Sequence, residues 1–187
     1  MFDAQCDLAA LVYTEGENPD RVVHEFASGL NANGHRAVGI VQLGRHRIDA
    51  DLSATLMPTG KQLRLHQELD HYSAGCRLDL GQLTNAGEQI ARTLEEGADI
   101  LIVNCFGRQE RKGKGLAHLI ERALGDDIPV VIAVPSHHFA DWIKFADGMT
   151  VKLHCDHESL DAWWTLLSTR TGSRSSPDHL TVCEVIK

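Results

Sequence analysis

The sequence predicts an α/β protein: a three-layer, mainly parallel sheet covered by helices on both faces, with a β-hairpin excursion. Short apolar runs of strand length recur along the chain without the alternation of half-exposed strands, which is typical of buried parallel strands. A strand, a helix and a second strand follow one another over residues 8–43. With 187 residues, 43% of them hydrophobic and 24% charged, the chain is long enough and apolar enough for one such domain.

The first unit is a β-α-β crossover. Leu8–Tyr13 is an apolar run that predicts a strand, and Ala37–Leu43 predicts the next one. Between them, apolar residues recur at helical spacing from Asp20, a good N-cap, to Asn33-Gly34, a typical helix end. Such a crossover places the two strands parallel in one sheet.

The middle of the chain predicts the excursion. Residues 48–67 alternate in part around the turn signal Pro58–Lys61, which indicates a β-hairpin. Leu69–Leu80 resembles a loop, and Gln82–Glu96 has one apolar helical face.

The second half predicts further alternation of strands and helices. The expected strands are Asp99–Asn104, Pro129–Pro135 and Met149–Leu153, and the expected helices are Leu116–Leu124, Ser136–Phe145 and Ser159–Leu167. We therefore expect a single domain over residues 1–167. Residues 168–187 are expected to form a flexible tail, with Leu180–Ile186 as an added edge strand.

Composition excludes several function classes. The chain has 18 Lys and Arg against 26 Asp and Glu, a net charge of −8, which argues against nucleic acid as a partner. The sequence has neither an apolar run of membrane-spanning length nor a signal-peptide pattern, so we expect no membrane partner. Five scattered cysteines without a C-x-x-C pair predict reduced thiols in a cytoplasmic protein.

In an open α/β sheet, ligands bind beyond the carboxyl ends of the strands. The loop after the first strand, Thr14–Asp20, lies where a phosphate-binding loop would be. It lacks the lysine and most of the glycines of G-x-x-x-x-G-K-[ST], and its carboxylates repel phosphate. This loop alone is best interpreted as a simple strand-to-helix connection.

The loop after the central strand carries the main candidates. Asn104 ends that strand where a Walker B segment usually has a magnesium-binding Asp, and Glu110 is a candidate catalytic base. Arg108 begins a run of four cations within seven residues, with Arg111, Lys112 and Lys114. The run is either an anion-binding patch or a solvated loop.

Two other clusters remain open. Arg77, in the stretch Ser73–Asp79, is a candidate anion clamp or an ion-pair partner of Asp79, and its neighbour Cys76 is best interpreted as a core residue. Among 11 histidines, His137 lies at a strand end, and His154 to His157 combine three kinds of metal ligand. A His/Cys metal-handling protein is therefore an alternative.

The segments Val103–Glu110, Ser73–Asp79 and Leu160–Trp164 resemble the bacterial family catalogued as domain of unknown function 2478. The resemblance runs over roughly residues 7–165. That family is associated with gene neighbourhoods of molybdenum metabolism, so the resemblance implies a link to oxyanions.

The order of elements is more distantly similar to the small P-loop nucleoside-triphosphatases. Gly107 and Glu110 match their D-E-x-G-x-x-E segment, whereas Asn104 and Cys105 replace its two acidic positions. Thr14–Arg21 replaces the P-loop. The resemblance implies a P-loop-like scaffold with a degenerate Walker A, whose nucleotide machinery has been lost or reassigned.

These observations predict a cytoplasmic accessory protein that binds an anionic small molecule, either a phosphate compound or an oxyanion. Arg77 and Arg108 would hold the anion, Ser73 and Asn104 would hydrogen-bond it, and Glu110 would orient an arginine or a water. Gly107 and His137 complete the expected binding set. A nucleotide hydrolase with a non-standard phosphate loop is the main rival, no cofactor is identified, and the oligomeric state stays open, a homodimer included.

Overall fold

The computed structural model describes residues 6–42, 53–68 and 76–173. Its strands are β1 (Leu8–Tyr13), β2 (Ala37–Gln42), β3 (Ser53–Met57), β4 (Lys61–Arg64), β5 (His66–Glu68), β6 (Cys76–Leu78), β7 (Ile100–Val103), β8 (Val130–Pro135) and β9 (Val151–His154). Its helices are α1 (Pro19–Ala32), α2 (Leu80–Glu95), α3 (Ala117–Gly125), α4 (Phe139–Phe145) and α5 (His157–Ser173).

The main sheet has the order β4-β3-β2-β7-β8-β1-β9. Strands β2, β7, β8, β1 and β9 are parallel to one another. The first four are buried runs of the kind that a doubly covered sheet requires, whereas β9, at the edge, alternates buried and exposed residues. The hairpin β3–β4 continues the sheet in antiparallel fashion at the β2 edge, which confirms the excursion.

Two apolar cores flank the sheet and give the three layers. One core takes side chains from α2, α3 and α4, including the fully buried Trp142. The other takes side chains from α1 and α5, including Trp163.

One glycine permits the tight contact between β2 and β7. Gly39 has a φ of +144°, and a Cβ built there would collide with the backbone carbonyl of Ile102, its partner in β7. No larger residue fits this position without moving one of the two strands.

Several element boundaries differ from the sequence predictions. Asn18, not Asp20, caps α1: its Oδ1 accepts a hydrogen bond from the Arg21 amide at 3.1 Å, and Pro19 takes the first helical position. The expected helix at 136–145 starts with a 3-10 turn at Ser136–His138. Helix α5 continues past Leu167 to Ser173.

The stretch expected to be a loop at 69–80 holds two further elements. Strand β6 pairs with β5 in a small antiparallel sheet, and α2 already begins at Leu80, capped by Asp79. The Leu180–Ile186 edge strand lies outside the described residues and stays a prediction. No helix in the described part of the chain is both long and apolar enough to cross a bilayer.

Candidate functional site

A cleft opens at the carboxyl ends of three adjacent strands. Its walls are the loop starting at the end of β1 (Tyr13–Gly16), the loop after β7 (Cys105–Gly107) and the segment from the end of β8 (Pro135–His138). Its volume is about 460 Å³. After β1 the chain crosses through α1 to β2, toward one edge of the sheet. After β8 it crosses through α4 to β9, at the other edge. The cleft thus lies at the topological switch point, where open α/β sheets bind ligands.

In the first wall, the carboxylate of Glu17 occupies hydrogen-bond donors of the loop. Both the amide and the Oγ1 of Thr14 donate hydrogen bonds to Glu17 Oε2 at 2.6 Å. These two hydrogen bonds, the side-chain one first, lower the pKa of Glu17 below its ordinary value. A negative charge is therefore fixed beside the cleft, on two donors that an external anion would otherwise use.

The second wall begins at Asn104, but the Asn104 side chain faces away from the cleft. Its Oδ1 accepts a hydrogen bond from the backbone amide of Gln42 at 2.9 Å, so it joins the end of β7 to the end of β2. The next residues, Cys105 to Gly107, form the wall itself. Phe106 is fully buried and packs edge-on against Trp142, with ring centroids 5.0 Å apart.

Glu110 is buried below the second wall and organises its loop. One carboxylate oxygen accepts a hydrogen bond from the Gly107 amide at 3.1 Å, and the other accepts one from the Leu116 amide at 3.2 Å. Gly115, at a φ of +60°, leaves room for this carboxylate where a Cβ would collide with it. The Glu110 side chain thus supports the cleft wall through Gly107.

The third wall supplies imidazoles. His137 and His138 lie side by side, with ring centroids 4.1 Å apart. Arg111 Nη1 is 3.3 Å from His138 Nδ1 and donates to Asp141 Oδ2 at 3.2 Å. Burial, followed by the charges of Arg111 and His137, lowers the pKa of His138 from its ordinary 6.5.

The structure separates the predicted binding residues into groups. Gly107 and His137 line the cleft together, and Asn104 and Glu110 lie in the framework behind it. Arg108 lines a different recess, near α4.

Two predicted residues come from the connection before α2. Ser73 lies outside the described residues. Arg77 lies in β6, where its backbone pairs with Gln67.

Of the eleven residues that line the cleft, the predicted binding set contains Gly107 and His137, and the polar side chains that it missed include Thr14, Ser136 and His138. Each stands within three positions of a strand end, which is the signal that could have identified it.

The predicted His154–His157 cluster lies next to the first wall, at the end of β9. Burial, with smaller contributions from Glu17, Asp156 and Asp20, raises the pKa of the Cys155 thiol to about 12. The free thiol is therefore protonated near neutral pH. Within the described ranges, no three His, Cys, Asp or Glu side chains are grouped so as to hold a metal ion.

Known proteins resemble the chain in sequence. The molybdenum import ATP-binding protein ModC 2 of Bradyrhizobium diazoefficiens is 32% identical over 177 residues, or 92% of this chain. The chain spans 19% of that relative's length.

Two solved structures share the fold. THEP1 from the hyperthermophile Aquifex aeolicus matches with a TM-score of 0.57 and 16% identity, over 86% of this chain and 98% of its own. A human cancer-related nucleoside triphosphatase matches with a TM-score of 0.56 and 13% identity, over 91% of this chain and 99% of its own. These matches confirm the predicted P-loop NTPase-like α/β scaffold.

The family model described as protein of unknown function DUF2478 matches residues 8–163. That match includes all nine of the strands described above and all three walls of the cleft. The chain therefore belongs to the DUF2478 family.

Proposed function

We propose that the protein is a cytoplasmic accessory protein that binds a small oxyanion or a phosphate group in the cleft. The observation that carries this proposal is the position of His137 and His138 at the switch point of the sheet, with Arg111 directly behind them. A guanidinium group forms strong charge-assisted hydrogen bonds to oxyanions, and an imidazole N–H also donates to them. The Ser136 hydroxyl offers a neutral hydrogen-bond donor beside them.

Molybdate is the first ligand to test. The relative that shares 32% identity with this chain is named for molybdenum import, and molybdate is a compact tetrahedral dianion. A cleft of about 460 Å³ has room for such an ion with its water, and also for a larger phosphate compound.

A nucleotide hydrolase on the same scaffold is the second candidate, and the likeness to two triphosphatase structures favours it. Two contacts argue against it. Glu17 occupies the Thr14 donors of the first loop, where a phosphate chain would be held. Both oxygens of Glu110 accept backbone hydrogen bonds, so this carboxylate is already engaged by its loop.

Calorimetric titration with molybdate, tungstate, phosphate and ATP with Mg²⁺ tests the proposal. We expect His137→Ala to weaken oxyanion binding about tenfold, which corresponds to the loss of one hydrogen bond. His118→Ala is the matched control because His118 is exposed on α3, outside the cleft lining, and it should bind normally. Glu17→Gln should bind several-fold more tightly, since it removes a negative charge beside the cleft.

Two results would contradict the proposal. One is an oxyanion affinity that is the same in His137→Ala and in the unmodified protein. The other is Mg²⁺-dependent release of phosphate from ATP that is lost in His137→Ala, which would favour the hydrolase.

A further inference from the structure

A second concave site lies between the loop after β7 and helix α4. Arg108, Arg111, Lys112, Asp141, Lys144 and Phe145 line this recess, whose volume is about 490 Å³. The recess and the cleft share no lining residue. Arg111 stands between them, since one of its nitrogens contacts both His138 and Asp141.

The recess carries an excess of positive charge. Arg108, Lys112 and Lys144 are exposed, and none of them has an ion-pair partner within the part of the chain that the structure describes. Asp141, the one carboxylate of the lining, is already paired with Arg111. Three neighbouring cations without partners repel one another, and carboxylates from a partner would relieve that repulsion.

The floor of the recess is apolar. Phe145 packs against Phe106 and Trp142, with ring centroids 5.4 Å and 5.5 Å away. These contacts hold the ring in place while part of it still lines the recess. The site therefore combines a fixed aromatic surface with a cationic rim, the pattern of a pocket that takes an anchoring side chain between charged contacts.

We infer that this recess docks an acidic protein segment, which places an apolar or aromatic side chain on Phe145 and carboxylates on Arg108, Lys112 and Lys144. Arginine and lysine at an interface steer such a segment and fix its register. The docking site does not depend on the cleft binding an anion, because the two lining sets are different.

A protein segment suits the recess better than nucleic acid. The chain as a whole has a net charge of −8, so the repulsion outside this recess opposes a long phosphate backbone. In the sequence relative, the region that is 32% identical to this chain makes up 19% of the length, so there it belongs to a chain with many other segments. In such a chain, a surface that docks a protein segment would let this domain contact the other segments.

Fluorescence anisotropy with a labelled peptide of glutamates around one central phenylalanine tests the inference. We expect binding that weakens as salt rises, and that weakens at least about tenfold in Lys112→Glu/Lys144→Glu. Lys61→Glu/Arg92→Glu is the charge-matched control, on β4 and α2, and should bind as the unmodified protein does. Replacing the peptide's phenylalanine by serine should weaken binding several-fold, a readout that needs no protein variant.

Backbone NMR of the unmodified protein gives the location of the bound peptide. Amide shifts on addition of the peptide should concentrate at residues 108–112 and 141–145. Absence of binding, equal binding by both charge-reversal variants, or no difference between the phenylalanine and serine peptides would overturn the inference. Tighter binding of polyadenylate or of phosphatidylserine vesicles at the same amides would overturn it too, by showing a general polyanion surface.

Discussion

At the scale of single residues, Glu110 shows how a buried charge can serve as framework. Only 7% of this residue is exposed, and an unpartnered carboxylate at such a depth would be costly. The amides of Gly107 and Leu116 satisfy one oxygen each. In return, the carboxylate holds together two points of the loop that forms the second wall of the cleft.

Removing this carboxylate should destabilise the protein. Glu110→Ala leaves two backbone amides without their acceptor, and we expect a loss of about 2–4 kcal/mol in the free energy of unfolding. Urea denaturation followed by circular dichroism measures it. Glu121→Ala, at an exposed position of α3, is the control and should change stability by less than about 0.5 kcal/mol. Equal denaturation midpoints for the two variants would disprove the framework role.

Asn104 shows what the sequence could not reveal at this scale. A polar residue at the end of a buried strand predicted a ligand contact, and Asn104 does follow the carboxyl end of β7. Its amide oxygen, however, binds the Gln42 backbone, and this contact depends on β2 and β7 being neighbours with a given register. Register is a property of two distant segments, so the residue pattern of one strand does not contain it.

At the scale of elements, apolar runs predicted strands correctly, whereas the short polar strands were not predicted. Strands β1, β2, β7 and β8 of the parallel sheet were predicted because each is a continuous, almost wholly buried run. Strands β5 and β6 have three residues each and owe their pairing to backbone hydrogen bonds, which leave no mark on side-chain periodicity. The end of α5 was missed because Ser168–Ser173 is poor in helix-favouring residues.

Gly39 offers a test of the β2–β7 pairing. In Gly39→Ala the new methyl group would collide with the Ile102 carbonyl, at a φ that alanine rarely adopts. We expect a loss of more than about 3 kcal/mol in stability, or failure to fold, seen as a lower thermal midpoint. Gly29→Ala in α1 is the control, because nothing lies within 4 Å of its Cβ, and helix propensity should raise its stability by about 0.5–1 kcal/mol. A Gly39→Ala protein with an unchanged midpoint would show that β2 and β7 pair differently.

At the scale of the whole molecule, the fold class could be predicted but the cleft could not. Parallel β-α-β units follow from the order of elements, whereas the insertion of β8 between β7 and β1 is a matter of sheet topology. That insertion brings together three loops from distant parts of the chain, ending at Gly16, Gly107 and His138. Each strand end is a candidate from the sequence, but the residue pattern does not show that these three loops meet.

In an acidic molecule an anion site depends on nearby positive charges, and one of those charges, on His138, depends on pH. With a net charge of −8, the protein repels anions in general, so an anion site depends on local cations. The groups around the His138 ring are Arg111, His137 and Asp141. Because burial, followed by the charge of Arg111, outweighs Asp141, the pKa of His138 is lowered from its ordinary 6.5, and the ring takes up its proton at lower pH than a free histidine does.

We therefore expect opposite effects of pH on binding and on stability. As pH falls through the range below 6.5, protonation of His138 should strengthen molybdate binding. Over the same range stability should fall, because the unfolded chain, where the pKa is ordinary, takes up the proton more readily than the folded one. Titration calorimetry and urea midpoints measured about every half pH unit test both. His138→Gln should flatten both profiles relative to the unmodified protein, and a variant with both slopes intact would exclude His138 as their source.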